Sequence, residues 1–136
     1  MQVSQIMTPD PDTAQLQDTL QAVAAKMDNG DYGSMPVIDG GRLVGVVTDR
    51  DIAVRAVAQG LGPDTEVRGV MTPDPVCVSA DSEVEEAAEI MQQEQIRRIF
   101  VTDDDDRLVG VVALADVALE DDEDLSGRTL EEISES

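Results

Sequence analysis

Histidine and tryptophan are absent from this 136-residue chain, and cysteine, tyrosine and phenylalanine occur once each. Without histidine there is no imidazole base, no histidine-based catalytic triad and no imidazole metal ligand. Cys77 alone cannot close an intramolecular disulfide. One Phe and one Tyr give no aromatic platform on which nucleic-acid bases could stack. Positive charge is also scarce: nine Lys and Arg, of which only Lys26 is lysine, stand against 30 Asp and Glu, for a formal charge of −21. Such a surface repels nucleic acid and anionic membranes at long range, so neither is expected as a partner. No apolar run reaches the roughly 18 residues of a membrane-spanning helix. Residues 1–10 lack the basic and apolar regions of a secretion signal. A cytoplasmic protein is the expectation.

What the chain does contain is one unit written twice. Met7-Thr8-Pro9-Asp10-Pro11 returns 64 positions later as Met71-Thr72-Pro73-Asp74-Pro75, and in the same register Met27 answers Met91 and Val37 answers Val101. The turn Gly40-Gly41-Arg42 then becomes Asp104-Asp105-Asp106-Arg107, one residue longer, and the RLVGVV that follows is displaced by 65. An insertion confined to a turn is the mark of a structural repeat. The expected organisation is repeat 1 over 1–62, repeat 2 over 63–119 and an acidic tail over 120–136. From 119 onward eight acids face only Arg128.

Each copy reads strand, helix, strand, strand, helix. Leu20, Val23, Ala24 and Met27, and likewise Val84, Ala87, Ala88 and Met91, form the i, i+3, i+4, i+7 stripe of an amphipathic helix. Asp18 with Gln21, and Ser82 with Glu85, have the spacing of N-terminal caps. MPVIDGGRLVGVV and IFVTDDDDRLVGVV read as β-hairpins, and a closing helix is expected from Thr48 to Gly60 and from Ala113 to Leu119. Residues 75–78 are the clearest opening strand. A unit of about 60 residues buries little surface alone, so the two copies are expected to pack together.

The Met-Thr-Pro segments, the strand Pro36-Val37-Ile38-Asp39, and the turns Gly45-Val46-Val47-Thr48-Asp49-Arg50-Asp51 and Gly110-Val111-Val112-Ala113-Leu114-Ala115-Asp116 resemble a tandem cystathionine-β-synthase (CBS) domain pair, or Bateman module. The stretch LVGVVTDRDIAVRAVAQGLGPDT is similar to stand-alone bacterial CBS proteins of the hypoxic-response type. The resemblance covers residues 1 to about 119. It implies an α/β fold of two CBS repeats packed as a pseudo-twofold pair, assembled as a disc-like homodimer. It also implies a regulatory role without catalysis, exerted on a protein that the sequence does not identify. Ligands of the family are adenosine-containing molecules: AMP, ADP, ATP, S-adenosylmethionine or NAD(H).

Thr48-Asp49-Arg50-Asp51 has two readings. Ser or Thr followed three residues later by an acid is a capping box. The same groups suit a nucleotide: Gly45 lets another group approach the backbone, Thr48 offers a hydroxyl near phosphate, and Asp51 can accept from a ribose diol. The resemblance implies that each ligand cleft is completed by the other repeat. One cleft would then join Thr48 and Asp51 to Arg97 and Arg98, whose guanidinium forks match phosphate oxygens. Val46, Val76 and Cys77 would line its adenine slot. The opposite cleft would join Asp116 and Ala113 to Gly33 and Ser34, a weaker site without the hydroxyl and the basic pair. No cofactor is obligatory, and magnesium is expected only in company with a nucleotide. The alternatives are a ligand-free structural or protein-interaction module, or a sensor of S-adenosylmethionine or NAD(H). The acidic turn 103–106 lacks the ligand pattern of a calcium loop and reads as a solvated hairpin turn.

Overall fold

The Met-Thr-Pro segments decide the topology. The computed structural model describes residues 1–120, so the tail 121–136 lies outside the described residues. It divides into two units: Asp12–Pro75, and Met1–Pro11 together with the chain from Val76 onward. The sequence repeats therefore trade their opening segments.

In the unit Asp12–Pro75 the sheet order is β2(Ala14–Gln15), β3(Ser34–Asp39), β4(Arg42–Thr48), β5(Thr72–Pro73), with helix α1(Leu20–Gly30) crossing from β2 to β3. The other unit has β1(Thr8–Pro9), β8(Leu108–Ala113), β7(Arg98–Thr102) and β6(Cys77–Ser79), with helix α3(Val84–Glu94). The helix-joined strands pair in parallel, as a crossover connection requires, and the hairpins pair antiparallel. β1, from the first repeat, pairs with β8 of the second through Pro9↔Gly110, and β5, from the second, pairs with β4 of the first through Pro73↔Gly45. The order strand, helix, strand, strand, helix is present in both. The short strands at Met-Thr-Pro are additional to it.

Glycine is required where these edge strands cross. A Cβ on Gly45 would stand 2.5 Å from Met71 Sδ and 3.0 Å from the Thr72 carbonyl oxygen. On Gly110 it would stand 2.5 Å from Met7 Sδ and 2.9 Å from the Thr8 carbonyl oxygen. The close approach expected at Gly45 is therefore made by the chain itself.

Each unit has its own apolar core, built from valine, methionine and alanine in place of aromatics. Val23, Met27, Met35, Val37 and Val47 fill one, and Ala87, Met91, Ile99, Val101 and Val112 occupy the matching positions of the other. Val67 and Val3, from the traded segments, are each 0% exposed within them. The helix stripes hold with one exception: Ala88 is buried, but Ala24 is exposed beside a cavity.

The helix caps differ from those expected by one residue. Thr19 caps α1, its hydroxyl accepting from the Ala22 N–H at 3.2 Å. Asp18 instead accepts from the Gln15 N–H at 2.8 Å, closing the turn ahead of the helix. At α3 the cap position is Glu83, which makes no side-chain cap bond. There the Val84 N–H is satisfied by the Met1 carbonyl, because the traded segment lies across the helix start. Both helices end in left-handed residues, Asp31 and Gln95, equivalent in the repeat. In the acidic turn, Asp103 Oδ1 accepts from the N–H groups of Asp105 and Arg107 at 2.9 and 3.0 Å, so this carboxylate closes the hairpin. No helix of the described residues is long and apolar enough to cross a membrane.

Candidate functional site

β4 ends at Thr48, and the chain turns directly into α2(Asp49–Asp51). Thr48 Oγ1 accepts from the Asp51 N–H at 3.0 Å, and Asp51 Oδ2 accepts from the Thr48 N–H at 3.0 Å. The capping box is thus fully formed. It does not use up the chemistry of either side chain. The Thr48 hydroxyl proton has no acceptor among the described residues, and Asp51 Oδ1 keeps its lone pairs, with only Arg55 Nε nearby at 3.7 Å. The two readings of Thr-x-x-Asp are compatible: the cap fixes both groups, and one donor and one acceptor are left over.

The helix that continues from this corner is irregular. Ile52–Ala56 form a π-turn and Val57–Gln59 a 3₁₀ turn, closed by Gly60 in the left-handed region. Its counterpart α4(Leu114–Glu120) is a plain α-helix. π-turns occur disproportionately at functional sites, and this one lies in the repeat that keeps the threonine.

The corner of the other unit is built in the same way but carries half of the box. Asp116 Oδ2 accepts from the Ala113 N–H at 3.1 Å, and Ala113 has no hydroxyl to return the bond. In both units the residue before the central strand serves the helix start. The Asp49 N–H donates to the Gly33 carbonyl at 3.1 Å, and the Leu114 N–H to the Arg97 carbonyl at 2.8 Å. Strand register places Ser34 opposite Thr48 and Arg98 opposite Ala113. Gly33, Ser34, Thr48 and Asp51 therefore share one corner, and Arg97, Arg98, Ala113 and Asp116 share the other.

Side-chain exposure separates the candidates further. Arg97 and Arg98 are exposed and form no ion pair among the described residues. Val46 is half-buried, Val76 is 38% exposed, and Cys77 is exposed with a free thiol. Val78, the next residue, is in the core at 5% exposure. Among the described residues no three His, Cys, Asp or Glu side chains gather as a metal site would require.

Sequence reasoning passed over two features. Arg55 approaches Asp51 from one helical turn further on, and its i, i+4 spacing from Asp51 was the available signal. The second is a cavity of about 380 Å³ beside α1, lined by Leu20, Ala24, Ile52, Ala56, Val57 and Leu61 among others. Val57 at its rim is 69% exposed and Leu61 44%.

Comparison with known proteins agrees with this architecture. A sequence model of the CBS domain matches residues 3–57 and 67–123. Hypoxic response protein 1 of Mycobacterium tuberculosis is 39% identical over 103 residues, 74% of this chain and 71% of the relative. A crystal structure of Hypoxic Response Protein I with two coordinated zinc ions has a TM-score of 0.79 at 32% identity, covering 90% of this chain and 100% of that one. The CBS domain protein PAE2072 of Pyrobaculum aerophilum, solved in complex with AMP, has a TM-score of 0.74 at 27% identity and covers 100% of both chains. The CBS domain pair of protein MJ0100, solved with 5′-methylthioadenosine and S-adenosylmethionine, has a TM-score of 0.72 at 28% identity over 88% of this chain and 98% of that one.

Proposed function

The chain belongs to the CBS-domain family, of which it carries two copies, and on that premise we propose that it is a non-catalytic regulatory sensor of an adenine nucleotide with one principal site. In this reading Asp51 accepts from the ribose diol through Oδ1 and Thr48 donates its hydroxyl proton toward phosphate. Arg97 and Arg98 neutralise the phosphate, and Val46, Val76 and Cys77 line the adenine. The observation that carries it is the pair of exposed arginines, unpaired among the described residues, in a chain of net charge −21. Two adjacent cations that leave so many carboxylates unengaged are suited to an anion brought from solution. The PAE2072 complex with AMP supports the ligand class. A second, weaker site would use Asp116 with Gly33 and Ser34.

Isothermal titration of the nucleotide-stripped chain with AMP, ADP, ATP, NADH and S-adenosylmethionine tests the proposal. The expected result is saturation by a phosphorylated ligand near one site per chain. Arg97→Ala/Arg98→Ala is expected to weaken it about 30-fold or more, as two charge-assisted contacts are lost, while adenosine is little affected. S-adenosylmethionine is the second reading, on the strength of the MJ0100 complex. Tighter binding of that ligand than of any nucleotide would select it. Heat from none of the five would leave an interaction module.

The same reading includes a homodimer. Val57 and Leu61, at 69% and 44% exposure, line the cavity beside α1, Val54 of the same segment is 49% exposed, and a second copy would cover these apolar groups. Sedimentation velocity is expected to show a dimer that Val57→Glu converts to monomer. A wild-type chain that sediments as a monomer at every concentration would remove this part of the proposal.

A further inference from the structure

We propose that Arg55 is the positioning residue for Asp51 and thereby sets the preference of the site for a ribose over a 2′-deoxyribose; the inference rests on the ribose assignment above. Asp51 is held from two sides. Its Oδ2 is fixed by the Thr48 N–H at 3.0 Å, and its Oδ1 lies 3.7 Å from Arg55 Nε. An i, i+4 pair on an exposed helix face stabilises little, because two long side chains must be ordered to make it. Here that ordering has another source. Arg55 Nη1 lies 3.5 Å from the Val70 carbonyl oxygen and 3.4 Å from that of Met71, so the guanidinium is anchored on backbone independently of Asp51. The Asp51 side chain is 14% exposed, and charge on a partly buried carboxylate gains more from such a neighbour than charge in open water.

Position also matters. Arg55 lies within the π-turn Ile52–Ala56 that directly follows the capping box. The 65-residue register that carries Asp51 onto Asp116 carries Arg55 onto Glu120. The position that supplies a cation four residues after Asp51 therefore supplies none four residues after Asp116. This is a third difference between the two corners, independent of Thr48 against Ala113 and of Gly33-Ser34 against Arg97-Arg98. The threonine and Arg55 both give the repeat containing Asp51 the better-held ribose acceptor.

A carboxylate pinned at one oxygen alone can swing about that bond. One held at Oδ2 by a hydrogen bond and drawn at Oδ1 toward an anchored guanidinium 3.7 Å away has that swing restrained, which is what discrimination of a single hydroxyl demands. The test titrates the nucleotide-stripped full chain with AMP and 2′-deoxy-AMP. The wild type is expected to prefer AMP about tenfold, the value of one hydrogen bond to a charged acceptor. Arg55→Gln is expected to bind AMP about fivefold more weakly and to prefer it only about twofold, with Arg55→Lys recovering part of both. Arg55→Met keeps the packing of the aliphatic stem and carries the same expectation should the glutamine variant not fold.

A Gln or Met variant that retains the wild-type preference overturns the inference, even if it is less stable, since a merely structural clamp would move stability and leave the ratio alone. A lysine variant no better than glutamine overturns it too. Failure of the ribose assignment is seen elsewhere: the wild type itself would then bind both ligands equally, or neither.

Discussion

Asp51→Ala is expected to reduce AMP affinity by about a hundredfold, whereas Asp116→Ala is expected to change it by less than threefold. The first figure corresponds to losing two hydrogen bonds from ribose hydroxyls to a carboxylate, at about 1.5 kcal/mol each. The second follows from the corner in which Asp116 sits, where Ala113 supplies no hydroxyl and no arginine stands four residues on. Because Asp51 Oδ2 also caps the helix start, the alanine variant loses about 1 kcal/mol of stability as well. Asp51→Asn separates the two effects. Its amide oxygen can still accept from the Thr48 N–H, so stability is largely kept, while a neutral acceptor weakens AMP by about tenfold. Calorimetric titration beside urea unfolding reads both quantities. Equal loss at Asp51 and Asp116 would refute the single principal site, and no loss at either would reduce Thr48 and Asp51 to a helix cap.

The second large effect is on stability. Gly110→Val is expected to destabilise its unit by about 3 kcal/mol in urea unfolding, near the upper end for a side chain forced into filled space. Met7 can rotate its thioether away from the new Cβ, since it is the flexible end of a side chain. The Thr8 carbonyl, 2.9 Å from that Cβ, cannot retreat without parting Pro9 from Gly110 across the strand pair. Gly45→Val is expected to act the same way on the other unit, because Met71 and the Thr72 carbonyl stand equally close. A Met7→Ala/Gly110→Ala double variant should cost less than the sum of its single changes, by coupling through the shared space. A valine variant within 0.5 kcal/mol of wild type would mean that the edge strand is not tightly held.

Much of this was legible because the chain states it twice. Periodicity located α1 and α3 and apolar runs joined by a polar turn located the hairpins, each independently in two copies, and the one-residue insertion in the second copy located the loop. The caps were misread by one residue because several Asp, Ser and Thr cluster before each helix, and sequence cannot say which of them leaves its turn. At α3 the partner of the first N–H is the Met1 carbonyl, which is local to nothing in the sequence around Val84. The pairing of Met-Thr-Pro with Gly-Val-Val was equally hidden. Both motifs were conspicuous, but the attraction between them is steric: a glycine bare enough for a carbonyl and a thioether to lie against it. Repeat matching aligns each motif with its own copy and says nothing about contact with the other. Arg55 was overlooked for a different reason, because in a helix with two arginines and two aspartates, spacing offers more than one pair and only side-chain geometry selects one.

The trading of opening segments also imposes an order on the nascent chain. Asp12–Pro75 is one uninterrupted run, so every strand of its sheet exists once Pro75 has been made. Met1–Pro11 precede it but belong elsewhere, and β1 has no strand to join until Gly110 and Val111 have been added. During synthesis the chain thus completes its middle before its beginning. For about a hundred residues of translation, Val3, Met7, Thr8 and Pro9 wait without the partners that will bury or pair them.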